Sequence, residues 1–297
     1  MMKFKKLSII FIIVILVTTI FSFSSTLPIS IKDDIGREIT IKEYPKRIIS
    51  LAPSSTEILF EIGAGDRVVG VTDFCNYPKE AQTKEKVGGF SNPNIEKIIS
   101  LKPDLIVLYK SFPKEVFNQL EKSLPNTSFI VLDPKTYEDV MKNIILVGKA
   151  VGKENEARKV YNNMLNGWLE IQKRVASIKK SPKVLFLIWN DPFISVSPST
   201  FLGDLLKKLK AKNIVENNEP EYPVLSLESI ISKNPDVIII GEMSGISKES
   251  IMNHPILKDT NAVKNKKVFT VNDDLVFRPG PRLVDGLKVL YKTLYEN

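Results

Sequence analysis

Side chains able to act as nucleophiles or to ligate transition metals are few in this sequence. Cys75 is the single cysteine and His254 the single histidine among 297 residues. One thiol and one imidazole exclude a metal site built on several imidazoles or cysteines. Gly63-Ala64-Gly65 resembles the start of a dinucleotide loop, but it lacks the third glycine and follows a predicted helix, which is typical of a helix C-terminus. The sequence therefore predicts a protein that is not an enzyme and uses no metal or cofactor.

Aromatic side chains, in contrast, recur beside turn residues near predicted strands. They are Tyr77, Phe90, Tyr109, Trp189, Phe193 and Tyr222. In a doubly wound sheet, ligands bind beyond the carboxyl ends of the strands, where such loops meet. Any one of these rings could instead belong to the core. Taken together, they predict a flat or bulky ligand held between apolar faces.

One glutamate occupies equivalent positions in an internal repeat. Residues 94–108 and 226–240 share this glutamate, an Ile-Ile-Ser triplet and a Pro-Asp pair. Each copy predicts a short amphipathic helix that ends at Pro-Asp, followed by an apolar strand of a buried parallel sheet. Glu96 and Glu228 then lie in the first turns of the two helices, where a carboxylate complements the helix dipole. The repeat predicts two similar α/β lobes with a cleft between them.

Strand and helix signals alternate on both sides of a long helical stretch. The predicted fold is α/β, with two doubly wound α/β lobes joined by a single long helix. The lobes comprise residues 25–152 and 181–297, and residues 153–180 form the connecting helix. An uninterrupted helix over Lys153–Ile178 is about 39 Å long, which makes a large closure of the lobes unfavourable. Ser54-Ser55-Thr56-Glu57 predicts a capping box at the start of a helix in the first lobe.

The first residues have the order of a secretory signal peptide. Lys3, Lys5 and Lys6 precede the apolar run Leu7–Phe21, and small residues follow it. We expect residues 1–24 to be removed, leaving the protein periplasmic or otherwise extracytoplasmic; without cleavage the segment would anchor it in the membrane. Loss of the three lysines lowers the formal net charge from +8 to +5. No long basic run remains, so nucleic-acid binding is not expected.

Several motifs together resemble a known family. They are Asp34-Ile35-Gly36-Arg37, the segment from Arg47 to Glu57, Val87-Gly88-Gly89-Phe90, the two repeat copies and Ala262-Val263-Lys264-Asn265. From Asp33 onward the sequence is similar to periplasmic substrate-binding proteins of ABC importers for cobalamin, iron-siderophores and haem, the class with a rigid helical backbone. Asn76-Tyr77-Pro78 and the segment from Gly88 to Asn94 resemble the cobalamin-binding branch most.

The resemblance implies a monomeric carrier that delivers a corrinoid to an ABC permease dimer. It implies that the ligand pocket is lined by Tyr77, Phe90, Trp189, Phe193, Tyr222 and Arg278. Glu96 and Glu228 would dock onto arginines of the two membrane subunits. Phe90 and Tyr222 replace tryptophans of the best-known cobalamin binder, so a haem or ferric-siderophore carrier is an alternative, with Arg278 pairing with a ligand oxygen. An anchored sensor domain and an enzyme on the same scaffold are further alternatives.

Overall fold

A computed structural model describes residues 27–296, so the predicted signal peptide lies outside the described residues. The strands are β1 Ile29–Lys32, β2 Glu38–Ile41, β3 Ile48–Ser50, β4 Val68–Val71, β5 Glu85–Lys86, β6 Leu105–Tyr109, β7 Ser128–Leu132, β8 Lys183–Trp189, β9 Ile194–Ser195, β10 Lys212–Asn213, β11 Val237–Gly241 and β12 Val268–Val271. The α-helices are α1 Pro53–Glu61, α2 Ile95–Ser100, α3 Lys114–Ser123, α4 Tyr137–Ala150, α5 Glu154–Ala176, α6 Phe201–Lys208, α7 Leu227–Lys233, α8 Lys248–Met252, α9 Asn261–Lys264, α10 Asp273–Val276 and α11 Leu283–Tyr295.

Two sheets form the centres of the two lobes, which confirms the predicted fold class. The first sheet is parallel, in the order β5-β4-β3-β6-β7. The second has the parallel order β10-β8-β11-β12, with β9 antiparallel on β8. A separate antiparallel hairpin of β1 and β2 packs beside β7. None of the helices among residues 27–296 is long and apolar enough to cross a membrane.

The two repeat copies fold alike because their Pro-Asp pairs make the same backbone contacts. The Asp104 N–H donates to Arg47 O, and the Arg47 N–H donates back to the Asp104 carboxylate at 2.9 Å. Asp236 makes the same pair with Lys183, at 2.8 and 2.9 Å. Burial alone would raise the pKa of Asp236, but hydrogen bonds from Lys183 and Asn261 outweigh it and lower the pKa. Each aspartate therefore ties a repeat to the first strand of its own sheet.

The predicted connecting helix is α5, which is 23 residues or about 35 Å long. It follows a left-handed turn at Gly152 (φ 69°) and ends at Ala176, two residues short of the prediction. α5 packs against α4 of the first lobe and α11 of the second. One hydrophobic core cluster also extends through both lobes and includes Ile48 of the first and Leu287 of the second. Both features join the lobes rigidly.

The predicted capping box at the start of α1 is wrong. The N-cap is Ala52, and no side chain caps the helix. Instead, the hydroxyl groups of Ser55 and Thr56 donate to Ala52 O inside the helix. Glu57 turns away from the helix N-terminus, because its carboxylate binds two arginines of the second lobe.

Candidate ligand-binding cleft

One cleft, which we call the main cleft, lies between the lobes at the carboxyl ends of the parallel strands. In the first sheet, β3 is flanked by β4 and β6, so the strand order reverses at β3. Ala52, Pro53 and Ser54 follow β3 and form part of the wall of the cleft. Tyr109 and Ser111 stand at the end of β6, and Asp133 follows β7. This is the switch point at which open α/β sheets bind ligands.

Aromatic rings from both lobes line this cleft, whose volume is about 360 Å³. The rings belong to Phe90, Tyr109, Phe201, Tyr222 and Phe277. Phe90 is held by an edge-to-face contact with Phe112, with 5.9 Å between the ring centroids. Tyr222 is 56% exposed, so its ring has free surface that a ligand can cover. The cleft therefore offers apolar area with a few hydroxyl groups, among them those of Ser54, Ser111 and Thr200.

Tyr109 also connects the lobes across the cleft. Its hydroxyl donates to Pro279 O of the second lobe at 3.2 Å. Burial raises the pKa of the Tyr109 phenol well above its usual value, so the hydroxyl stays protonated at neutral pH. Tyr109 can therefore donate this hydrogen bond at neutral pH.

An exposed ion-pair chain spans one side of the cleft. The Lys135 Nζ lies 3.3 Å from carboxylate oxygens of both Asp133 and Glu221, and Lys110 pairs with Asp133 at 3.0 Å. Burial alone would lower the pKa of Lys135, but its hydrogen bonds to Glu221 and Asp133 raise it. Since Lys135 and Glu221 are each about half exposed, 48% and 49%, this bridge between the lobes contributes little to stability. It neutralises the charges at this side of the cleft.

A buried ion-pair cluster joins the lobes elsewhere. The Glu57 carboxylate is 1% exposed and accepts from Arg278 at 3.0 Å and from Arg282 at 2.6 and 2.9 Å. Glu57 raises the pKa of the Arg282 guanidinium. Arg278 also binds Asn76 at 2.7 Å and Asp274 at 2.6 Å. We refer to Glu57, Arg278 and Arg282 as the inter-lobe clamp.

The structure brings only part of the predicted pocket together. Phe90 and Tyr222 line the main cleft. Arg278 lines a neighbouring side cavity of about 340 Å³, which also contains Phe74 and Met243 and shares Phe277 with the main cleft. The guanidinium of Arg278 is already engaged by the clamp, so pairing with a ligand oxygen would compete with Glu57 and Asp274.

The other predicted pocket residues have different surroundings. The Tyr77 ring lies 3.9 Å from the Arg282 guanidinium, at the contact between the lobes. Trp189 is 53% exposed, and its indole N–H donates to Asp191 O at 3.2 Å. Phe193 packs against the core of the second lobe, with its ring 6.3 Å from that of His254. Phe193 is therefore held by packing, whereas Trp189 has free surface.

Two rings of the cleft, those of Phe201 and Phe277, were not predicted, because they carry no strand-end or turn signal in the sequence. Tyr109 was among the aromatic residues selected from the sequence, although the family resemblance did not place it in the pocket. Phe201 begins α6 after its capping residue Thr200, and Phe277 directly follows α10. Their approach to the first lobe depends on how the lobes are packed together.

The two glutamates of the repeat occupy matching positions. Each is the second residue of its helix, α2 or α7, and each is exposed. Asn94 and Ser226 cap these helices through their side chains. Neither glutamate has an ion-pair partner within residues 27–296. Hydrogen bonds from its own backbone N–H and from Ser226 lower the pKa of Glu228.

Comparison with protein families identifies the fold. The sequence model of the periplasmic binding protein family matches residues 48–275. The chain belongs to this family. It is 35% identical to an uncharacterized ABC transporter substrate-binding lipoprotein, YvrC, of Bacillus subtilis over 274 residues, 90% of this chain and 86% of YvrC.

Two solved structures have the same architecture. The periplasmic vitamin B12 binding protein BtuF of Vibrio cholerae is 27% identical with a TM-score of 0.75, over 84% of this chain and 96% of BtuF. A possible iron-binding periplasmic solute-binding protein of Staphylococcus epidermidis is 32% identical with a TM-score of 0.74, over 85% of this chain and 100% of that protein. These similarities identify a substrate-binding protein of an ABC importer, with the two-lobe fold.

Proposed function

We propose that this protein carries a corrinoid, cobalamin or a precursor, to an ABC permease outside the cytoplasm. The observation that supports this most is the aromatic lining of the cleft, to which both lobes contribute. A corrin ring is flat and largely apolar, and its amide side chains match the hydroxyl groups of Ser54 and Ser111. The similarity to the vitamin B12 binding protein of Vibrio cholerae supports the same ligand class.

The charges of the cleft favour a neutral ligand over an anionic one. Lys135 is the one cationic residue among those lining the main cleft, and Asp133 and Glu221 already neutralise it. A haem with free carboxylates or an anionic iron chelate needs uncompensated cations. The alternative ligand is an iron chelate, which the 32% identity to a possible iron-binding protein favours.

Calorimetric titration of the mature protein tests the ligand. We expect cyanocobalamin and cobinamide to bind with dissociation constants in the micromolar range or tighter. Haemin and a ferric catecholate serve as the competing ligands. Binding of the catecholate without heat from either corrinoid would transfer the function to iron transport.

We further propose that Glu96 and Glu228 are the docking residues for the permease. Each is an exposed carboxylate without an ion-pair partner within residues 27–296, on equivalent helices of the two lobes. Such a pair suits two arginines of a dimeric membrane partner, because exposed charges steer association and fix orientation.

The proposed location depends on removal of residues 1–24. Sequencing of the N-terminus of the exported protein tests this directly. A mature N-terminus close to residue 25 would support release from the membrane, whereas an intact apolar segment would support an anchored protein.

A further inference from the structure

The charge of this protein is divided unevenly along the chain. Residues 27–152 carry 17 lysines and arginines and 17 acids, so their net charge is zero. Residues 153–296 carry 22 lysines and arginines but again 17 acids. The entire positive excess of the described chain therefore belongs to its second half.

This excess is concentrated in three short segments, residues 173–183, 207–212 and 264–267. Together these 21 residues contain 12 lysines and arginines and no aspartate or glutamate. They are far apart in the sequence, so no single long basic run marks them. Their concentration becomes evident only in the folded chain.

The second sheet gathers the three segments at the amino ends of its strands. Lys183 at the start of β8 is paired directly with Lys212 at the start of β10. Lys267 directly precedes β12, and its carbonyl accepts from Ile238 at the start of β11. The Lys210 Nζ lies 3.4 Å from Ala176 O, which places the end of α6 beside the end of α5. We refer to the three segments as the basic edge.

Most cations of the basic edge form no direct ion pair. Arg174, Lys208 and Lys264 pair with nearby acids. The other nine form no direct pair within residues 27–296, and Asp236 is close enough for the charges of Lys180 and Lys183 to help its hydrogen bonds lower its pKa. Lysines in the last turns of α5 and α6 complement the helix dipoles, but seven of the nine lie outside every helix: Lys179, Lys180, Lys183, Lys210, Lys212, Lys266 and Lys267. The dipoles therefore do not account for the concentration of charge.

The basic edge is separate from the cleft and from the docking glutamates. Glu96 lies in the first lobe, and the end of α7 opposite to Glu228 contacts the basic edge, where Lys183 Nζ donates to Lys233 O at 3.1 Å. Parallel strands place their amino ends opposite to their carboxyl ends, where the cleft lies. None of the strongly exposed large apolar side chains of the described chain falls in the three segments. A membrane surface favours basic regions that also insert apolar or aromatic side chains. A soluble polyanion requires only the charges.

We propose that the basic edge binds a flexible phosphate-bearing polymer outside the cytoplasm. Several exposed ammonium groups within a few strand spacings can contact successive phosphates and release the counterions that the polymer has condensed. Binding of this kind retains the protein near an anionic envelope polymer while the cleft and the docking face stay free. It does not depend on which ligand the cleft binds.

The experiment measures binding of the mature protein to long-chain polyphosphate at several salt concentrations. The test variant is K180Q/K212Q/K267Q. The matched control is K79Q/K114Q/K122Q, which removes three exposed and unpaired lysines of the first lobe and so loses the same net charge. We expect the test variant to bind at least tenfold more weakly than wild type at low salt, and the control to stay within about twofold. The slope of the logarithm of the binding constant against the logarithm of the salt concentration should also become less steep by about 0.7 per lost phosphate contact.

Two results would overturn the proposal. One is equal weakening by the two triple variants, because net charge alone would then explain binding. The other is wild-type binding to vesicles that contain phosphatidylglycerol without binding to polyphosphate, which would assign the basic edge to a membrane surface. Unchanged circular dichroism in both variants would exclude misfolding. Unchanged affinity for cyanocobalamin would show that the basic edge acts separately from the cleft, so that failure of this proposal can be distinguished from failure of the proposed transport function.

Discussion

Tyr222 illustrates how one exposed ring can serve the proposed function. It follows Glu221, which takes part in the ion-pair chain, and its side chain is 56% exposed although it lines the main cleft. Partial burial raises the pKa of its hydroxyl, so the ring stays neutral at physiological pH. An exposed ring contributes little to folding but can lose much of its water contact when a ligand covers it.

We therefore expect Tyr222→Ala to weaken corrinoid binding by about 1–3 kcal/mol, or roughly tenfold to a hundredfold, with little change in stability. Calorimetry measures the affinity, and urea unfolding measures the stability. Ile35→Ala is the matched control, because Ile35 is also exposed (42%) but lies in the turn of the N-terminal hairpin. An unchanged affinity in Tyr222→Ala would place the ligand elsewhere in the cleft.

Arg282, unlike Tyr222, contributes mainly to the stability of the fold. Its guanidinium makes two hydrogen bonds to the buried Glu57, and the Tyr77 ring covers it at 3.9 Å. A lysine keeps the charge but cannot make this two-pronged contact. We expect Arg282→Lys to lower the free energy of unfolding by about 1–3 kcal/mol. Urea denaturation at pH 7 provides the measurement.

Arg158→Lys is the control for this variant. Arg158 pairs with Glu154 at 2.6 Å within α5, but its side chain is 59% exposed. We expect this change to cost less than about 0.5 kcal/mol. Equal effects of the two substitutions would mean that the clamp contributes no more than a surface ion pair.

At the scale of the elements, local patterns predicted most helices and strands. The two repeat copies were predictable because Pro-Asp ends a helix locally and the apolar strand after it is fully buried. The start of α1 was mispredicted for a non-local reason. Glu57 satisfies the local pattern of a capping box, but its partners are Arg278 and Arg282, more than 200 residues further along the chain. No pattern around Glu57 contains that information.

The packing of α5 on α4 depends on a glycine. A Cβ atom at Gly148 of α4 would lie 2.3 Å from the Cβ atom of Ala157 in α5. We expect Gly148→Ala to force the helices apart and to destabilise the protein by about 1–3 kcal/mol, despite the better helix propensity of alanine.

Thermal or urea unfolding measures this effect. The double variant G148A/A157G removes the Cβ atom that causes the clash, so we expect it to recover part of the loss. Absence of any recovery would contradict the proposed clash with the Ala157 Cβ atom. The destabilisation would then come from the Lys153 carbonyl oxygen, which lies 3.1 Å from a Cβ atom added at Gly148.

At the scale of the molecule, several connections restrain the lobes. They are α5, the shared core cluster, the inter-lobe clamp and the hydrogen bond of Tyr109 to Pro279. Closure by a large hinge rotation would break the buried clamp, which is costly because Glu57 would be left without partners. We expect the lobes to rotate by only a few degrees when ligand binds. Small-angle scattering with and without ligand should give the same radius of gyration within error, and a clear compaction would contradict the rigid connection.

The cleft was less predictable than the fold, because its wall is made by both lobes. Sequence reasoning selected Phe90, Tyr109 and Tyr222 from strand-end and turn signals, and all three line the cleft. The same signals selected Phe193, which packs into a core, and could not select Phe277, which reaches the cleft only when the lobes are assembled. The basic edge was hidden in the same way, since three separate segments meet only in the folded sheet.

Docking on the permease tests the molecule as a whole, because Glu96 and Glu228 act together only if the lobes keep a fixed distance. We expect Glu96→Arg or Glu228→Arg to reduce complex formation and transport, and the double reversal to nearly abolish both, while ligand affinity stays within about twofold. The defect of a single reversal should be relatively smaller at high salt, because the lost contact is exposed. Glu115→Arg combined with Glu249→Arg is the control, since these exposed glutamates also lie in first helical turns, one in each lobe. If the control pair abolishes transport equally, or the Glu96/Glu228 reversal leaves it normal, the two glutamates are only helix-start acids and the docking surface lies elsewhere.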